Sequence, residues 1–188
     1  MSMQPQSLPI LQGDPAKVEQ DLEATRQPLA RNRRCGECTA CCTFMYVPDL
    51  NKPAKTPCPK CTSAGCGIYE SRPLVCRGWG CEWWLGHLGL TDAQRPDKLG
   101  LMFSYNPALT VVNEIWRGAA MSKAALRVLN RLKSRQPLFF VPFEGTGFRL
   151  GDRDARQEIE LAGYAPADDD SLLGQPADRG PRDFGQLR

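Results

Sequence analysis

The stretch RRCGECTACCTFMY, residues 33–46, decides how the first half of this chain can fold. It places four cysteines within eight residues, and two of them, Cys41 and Cys42, are adjacent. Such crowding has four candidate explanations, which are structural disulfides, a redox pair, a metal site and a packed core. Each explanation predicts a different kind of protein.

The position of the cysteines in the chain favours a metal or redox site. All nine lie between Cys35 and Cys81 of the 188 residues. The first residues lack the charged and apolar regions of a signal peptide, and no apolar run is long enough for a membrane span. We therefore expect a cytoplasmic protein without a membrane partner, in which thiols stay reduced. A reduced cysteine cluster is more often a metal or redox site than a disulfide framework.

The spacing of the cysteines favours metal among these explanations. The order is C-x2-C-x2-C-C, then C-x2-C-x4-C, then C-x4-C. A C-x2-C pair lets two thiolates hold one cation, as in half of a structural zinc site. The beginning also matches a ferredoxin cluster motif, but there the last cysteine comes after three intervening residues, whereas here Cys42 follows Cys41 at once. The candidate metal ligands are Cys35, Cys38, Cys41, Cys42, Cys58, Cys61, Cys66, Cys76 and Cys81.

The identity of the metal stays open at this point, because thiolates bind both zinc and iron, including the iron of an iron–sulfur cluster. Cys41 and Cys42 cannot easily face one metal with tetrahedral angles, so we expect them to face two sites or to bridge a shared one. Nearby cations would stabilise the anionic site; they are Arg33, Arg34, Lys60, Arg72 and Arg77. Arg77 is our candidate cofactor-binding residue, as a donor to a thiolate sulfur.

The other side chains near the cysteines have simpler explanations. The only histidine, His87, is expected to be an exposed turn residue rather than a metal ligand. Trp79, Trp83 and Trp84 are expected to cover the metal from water, because aromatic residues are core residues by default. Arg72 is expected to bond backbone carbonyls or a carboxylate at a turn.

The ordered motif CGECTACC, CP and CGIYESRPLVCRGWGCEWW resembles the YkgJ-like cysteine-cluster family, which is described as a zinc- or iron-chelating domain with the pattern CxxCxxCC. The resemblance covers about residues 35–85, and the segment RPDKLGLMF is also similar to bacterial members. It implies that the metal ligands are Cys35, Cys38, Cys41, Cys42, Cys58, Cys66, Cys76 and Cys81. Cys61 is less regular in that family. A related cluster in flagellin lysine methylases keeps an enzymatic interpretation open.

The sequence after the cysteines predicts an α+β fold. LGLMFSY and LTVVNEIW are expected to be antiparallel strands. A helix should begin after Ser122, where apolar residues recur at helical spacing, and end before Pro137. LFFVPF and FRL should form a hairpin, with Pro142 placing its strand at a sheet edge. We therefore expect a small metal-stapled cysteine-rich region joined to a small antiparallel sheet with one main helix.

The predicted organisation is one domain with two tails. Its parts are an N-terminal arm (1–30), a cysteine-cluster metal-binding region (31–98), an α+β part of the same domain (99–163) and a disordered tail (164–188).

The leading functional interpretation is a metal-binding protein of undefined cellular role. One alternative is an iron–sulfur enzyme or electron carrier, although no nucleotide-binding glycine motif and no Ser/His/Asp triad is evident in the sequence. Another is a zinc-ribbon-like module that binds protein or nucleic acid, but a net charge of +3 favours nucleic acid only weakly. A thiol redox or metal-transfer role is the last alternative.

Overall fold

The computed structural model describes residues 33–164 of the chain. The helices are α1 (Ala40–Phe44), α2 (Leu74–Gly78), α3 (Glu82–Leu85), α4 (Pro96–Leu99), α5 (Lys123–Lys133) and α6 (Ala155–Leu161). The strands are β1 (Cys61–Thr62), β2 (Gly65–Cys66), β3 (Leu101–Ser104), β4 (Thr110–Glu114), β5 (Leu138–Val141) and β6 (Phe148–Leu150). The predicted arm (1–30) and all but the first residue of the predicted tail (164–188) lie outside the described residues.

The α+β class is confirmed, but the prediction that the main sheet is antiparallel throughout was wrong for its central strand pair. The main sheet has the order β3-β4-β5-β6; its outer pairs are antiparallel, and β4 pairs with β5 in parallel. The chain between β4 and β5 contains α5, and a helical crossover brings the chain back so that the next strand runs in the same direction. A separate two-stranded antiparallel sheet joins β1 and β2.

The predicted place of Pro142 at a sheet edge was also wrong. β5 is an inner strand, and Pro142 follows its last residue, Val141. A proline just past the end of a strand removes no ladder hydrogen bond, so an inner strand tolerates it. The β5–β6 hairpin itself is confirmed.

The predicted main helix, α5, is confirmed with its cap. The Ala125 N–H donates to the Ser122 hydroxyl oxygen at 3.1 Å, which satisfies one free N–H of the first turn. The apolar face of α5 is buried in one core with the strands; the helix contributes Ala125, Leu126, Val128, Leu129 and Leu132.

The same core extends into the cysteine region. Cys81 and Trp83 belong to it, and Cys41, Trp79 and Trp84 pack against it. The cysteine segments are therefore fixed to the sheet by apolar packing, not only to one another.

A buried carboxylate ties the end of the described chain to the sheet. Glu114, the last residue of β4, is fully buried. Its side chain accepts the N–H groups of Ala120 and Phe143, each at 3.0 Å, and the hydroxyl of Tyr164. Tyr164, the first residue of the predicted tail, is thus part of the packed structure. The preceding helix α6, with Ile159 fully buried, was not predicted.

Among residues 33–164, no helix has both the length and the apolar character needed to cross a membrane.

Candidate metal centre

The two adjacent cysteines point in different directions because they lie in a helix. Cys41 and Cys42 occupy consecutive positions of α1. Consecutive side chains of an α-helix are about 100° apart around its axis. The Cys41 thiol still donates to the Cys42 sulfur. The two residues are therefore in contact, yet each faces its own set of neighbours.

Cys41 lies in what we call the first group, which is Cys35, Cys38, Cys41 and Cys81. Cys35 and Cys38 approach each other in a tight turn, in which the Cys38 N–H donates to the Cys35 carbonyl at 2.9 Å. Both are close to Cys81, which precedes α3. The tight turn and two helix ends thus gather four thiols that span 47 positions of sequence, from 35 to 81.

Cys42 lies in the second group, which is Cys42, Cys58, Cys61, Cys66 and Cys76. The Cys61 thiol donates to the Cys42 sulfur, and the Cys66 thiol lies beside it. Cys61 and Cys66 are direct partners across the β1–β2 hairpin. All nine cysteines are free thiols, so each remains available to a metal or to oxidation.

Gly65 lets the hairpin approach the first group. Its φ of +115° is unfavourable for other residues, and a Cβ atom there would lie 2.2 Å from the Gly36 carbonyl oxygen. The hairpin that carries Cys61 and Cys66 therefore packs directly against the turn between Cys35 and Cys38. Glycine at position 65 permits this close contact.

Four of the sulfurs share one local hydrogen-bond pattern. The sulfur of Cys58 accepts the N–H of Lys60, two residues later, at 3.5 Å. A backbone N–H two residues later acts to lower the pKa of Cys38 (Ala40), of Cys66 (Ile68) and of Cys81 (Trp83), and at Cys81 the N–H of Trp84 lowers it further. A backbone N–H that faces a sulfur favours the charged thiolate over the neutral thiol. The pattern occurs in both groups.

Lys52 is a buried cation beside the second group that the sequence analysis missed. Only 2% of its surface is exposed. Its ammonium donates to the carbonyls of Thr43 (3.1 Å), Pro53 (2.9 Å) and Met45. Burial lowers the pKa of Lys52, while the charges of nearby thiols, that of Cys58 foremost, act in the opposite direction.

The backbone around Lys52 explains its inward side chain. Val47 and Lys52 form a β-bridge with hydrogen bonds of 2.9 and 3.0 Å, across a turn in which Asn51 has a φ of +47°. The sequence around it, PDLNKPAK, is polar and irregular, and no periodicity indicates which of its side chains turns inward.

The cationic side chains that were expected near the cysteines differ in their contacts and in their exposure. Arg33 donates to the carbonyls of Trp83 and Leu90 and thereby holds the start of the motif against α3. Arg72 donates to the Tyr69 carbonyl at 2.7 Å, as expected at this turn, and lies near Cys66 and Cys76. The others are Arg34 and Lys60, both exposed, and Arg77, which is half-buried in the last turn of α2.

Two small cavities adjoin the thiols, each of about 40 Å³. The first is lined by cysteines of the first group and by Cys76, together with Trp79, Trp83 and Trp84. The second cavity is lined by cysteines of both groups and by Ile68 and Tyr69. The tryptophans therefore lie beside the thiols, where the sequence analysis expected them.

His87 is an exposed residue, as expected. Its Nδ1 pairs with the buried carboxylate of Glu82 at 3.0 Å, and its ring stacks on Tyr105 at a centroid distance of 5.2 Å.

Burial and mutual hydrogen bonding control the proton affinity of the thiols. Burial raises the pKa of Cys38 to about 12 and that of Cys81 to about 11. It also raises the pKa values of Cys66 and Cys76. Hydrogen bonds from the thiols of Cys41 and Cys61 hold the pKa of Cys42 well below the usual range of a cysteine. A cation that binds these groups must therefore displace protons from most of the sulfurs.

The donor atoms suit a soft cation, but the coordination sphere is not closed. Thiolate sulfur is the ligand that zinc and iron–sulfur iron prefer. Within residues 33–164, no set of three or more His, Cys, Asp or Glu side chains already has an arrangement that could hold a metal ion.

Comparison with protein-family models, curated proteins and solved structures finds no match to this chain.

Proposed function

We propose that this chain is a metal-binding protein in which two adjacent groups of thiolates hold zinc or iron, including the iron of an iron–sulfur cluster. The observation that carries the proposal is the convergence of nine free thiols from separate segments into two adjacent groups, with a backbone N–H donated to the Cys58 sulfur at 3.5 Å and backbone N–H groups beside Cys38, Cys66 and Cys81. Hydrogen bonds to a charged group are about twice as strong as those between neutral groups. Such donors therefore favour thiolates, the form of cysteine that binds metals.

The sizes of the two groups agree with this proposal. The first group has four thiols, the number in a tetrahedral zinc site. The second has five, one more than such a site needs. The resemblance to the YkgJ-like zinc- or iron-chelating family implies eight ligands without Cys61, which leaves four thiols in each group. Cys61 is then the spare thiol, and Cys41 and Cys42 serve different metals.

Two charged residues would support the anionic second site. Lys52 places a buried ammonium near Cys42, Cys58, Cys61 and Cys76. Arg72 lies near Cys66 and Cys76 from the other side. Arg77, next to Cys76 in the chain, is our candidate for a further donor to sulfur. Positive charge near a metal–thiolate site favours its formation, since the bound thiolates carry more negative charge than the metal neutralises.

The bound metal would stabilise the fold of the cysteine region. A structural zinc ion supplies on the order of 10 kcal/mol in comparable small sites. Because the thiols do not form a closed set, metal binding should draw the sulfurs of each group together. This requires reduced thiols, so we propose a cytoplasmic location.

The test is a zinc titration of the metal-free chain under anaerobic conditions, with a chromophoric chelator as competitor. We expect two tightly bound ions per chain, one fewer in Cys41→Ser and one fewer in the double variant Cys42→Ser/Cys61→Ser, which leaves three thiols in the second group. Cys61→Ser is the matched control and should keep both ions, because four thiols remain in the second group. Iron with sulfide is tested in parallel. A chain that binds neither metal more tightly than a cysteine-free variant would overturn the proposal.

A further inference from the structure

The β1–β2 hairpin holds two thiols in the position where a disulfide fits. Cys61 and Cys66 are directly opposite in an antiparallel pair. The next pair outward, Lys60 and Gly67, is joined by a backbone hydrogen bond of 2.8 Å. Hydrogen-bonded and non-hydrogen-bonded pairs alternate along such a ladder, so Cys61 and Cys66 form a non-hydrogen-bonded pair.

The backbone separation at that position matches the requirement of a disulfide. Opposite residues in a non-hydrogen-bonded pair have Cα atoms about 4.5 Å apart, and their side chains lie close together. Disulfides need a Cα separation of about 4.4–6.8 Å. The thiols of Cys61 and Cys66 also share a neighbour, the Cys42 sulfur, so both point to the same side of the hairpin.

Both thiols are accessible to a small oxidant. Cys61 and Cys66 are half-buried, and the turn residues between them, Ser63 and Ala64, are exposed. Cys58 is buried, and the Cys58 and Cys61 pair lies in one tight turn rather than across a ladder. The Cys61 and Cys66 pair therefore has both access to an oxidant and a suitable backbone separation. The Cys58 and Cys61 pair lacks that access, because Cys58 is buried.

We propose that Cys61 and Cys66 form a reversible disulfide when the second group holds no metal, with a small-molecule disulfide such as oxidised glutathione as the oxidant. The Cys61 sulfur attacks the glutathione disulfide, breaks its S–S bond and releases one glutathione thiol. The Cys66 sulfur then attacks Cys61, forms the protein disulfide and releases the second glutathione. The two protons of the cysteine thiols end on the two glutathione thiols, and glutathione takes both electrons.

The consequence is a choice between two states of the second group. Oxidation leaves only Cys42, Cys58 and Cys76 as thiols there, too few for a tetrahedral thiolate site. The disulfide itself requires no metal, so its failure would leave the proposed metal function standing.

The experiment treats the metal-free full-length chain with oxidised glutathione, blocks the remaining thiols with iodoacetamide, and digests with trypsin. Cleavage after Lys60 and Arg77 places Cys61, Cys66 and Cys76 in one peptide, residues 61–77. We expect this peptide to carry one alkyl group, on Cys76. Its mass should be two hydrogens below that of the singly alkylated peptide with two free thiols. Tandem mass spectrometry assigns the link.

The controls separate a folded pair from chance proximity. Cys66→Ser should abolish the intrapeptide link, whereas Cys76→Ser, a variant in the same peptide and group, should keep it. The same reaction in guanidinium chloride should lose the preference for Cys61 with Cys66. The proposal is overturned if the folded chain yields the same mixture of links as the unfolded chain, or mainly links residues 61–77 to the peptide that carries Cys42.

Discussion

Replacing Lys52 with Met should weaken metal binding at the second group and leave the first group intact. The variant keeps a long side chain but removes the buried ammonium beside Cys42 and Cys58. Two unit charges about 6 Å apart interact by about 3 kcal/mol at an effective dielectric constant of about 20. Since about 1.4 kcal/mol changes an equilibrium constant tenfold, we expect the affinity of the second site to fall about a hundredfold.

The stability of the metal-free protein should also fall. Lys52→Met leaves the carbonyls of Thr43, Met45 and Pro53 without their donor, and an unsatisfied buried group costs about 1–3 kcal/mol. The gain from no longer burying a charge offsets part of that cost. Competition titration measures the two affinities, and chemical denaturation measures the metal-free stability. Lys123→Met, an exposed lysine of α5, is the matched control and should change neither. Unchanged affinity at both sites in Lys52→Met would refute this reasoning.

Three further predictions concern stability. Because burial raises the pKa values of Cys38 and Cys81 to about 12 and 11, the metal-free protein should lose stability as the pH rises from the unfolded thiol value of about 9 toward 12. The lowered pKa of Cys42 acts below that range, where its thiolate adds stability as the pH rises. The metal-loaded protein should gain more stability than the metal-free protein as the pH rises toward neutrality, since binding releases protons, and parallel curves in denaturant titrations would contradict this. Gly65→Ala should destabilise the chain by about 1–3 kcal/mol. Gly145→Ala is the control and should cost less, because Gly145 has a similar φ of +96° but a Cβ there would have only one neighbour, Pro142 at 3.9 Å. Equal midpoints of unfolding for the two variants would argue against the close packing of the hairpin. Tyr164→Phe should cost about 1–2 kcal/mol through its lost bond to a buried carboxylate, and an unchanged midpoint would mean that residue 164 does not hold the end of the chain in place.

The parts that sequence predicts well are those with local signals. The α5 helix is marked by its serine cap and by apolar residues at helical spacing, and β3 and β4 by β-branched and aromatic residues. The parallel pairing of β4 with β5 has no such local signal, because it depends on how the α5 crossover returns to the sheet.

The candidate site shows the same division. The cysteine motif marks the candidate ligands, but their division into two groups depends on contacts between segments distant in the sequence. The different directions of Cys41 and Cys42 follow from helix geometry once α1 is known, and α1 is too short for periodicity to reveal it. Lys52 was missed because a β-bridge with Val47, not a sequence pattern, turns it inward.

The most direct test of the central claim is anaerobic purification of the full chain, followed by quantitation of metal and acid-labile sulfide and a visible spectrum. The account predicts stoichiometric zinc, or iron with or without sulfide, at one ion or cluster for each thiol group. A reduced, folded chain that contains neither metal, and takes up neither on reconstitution, would contradict it.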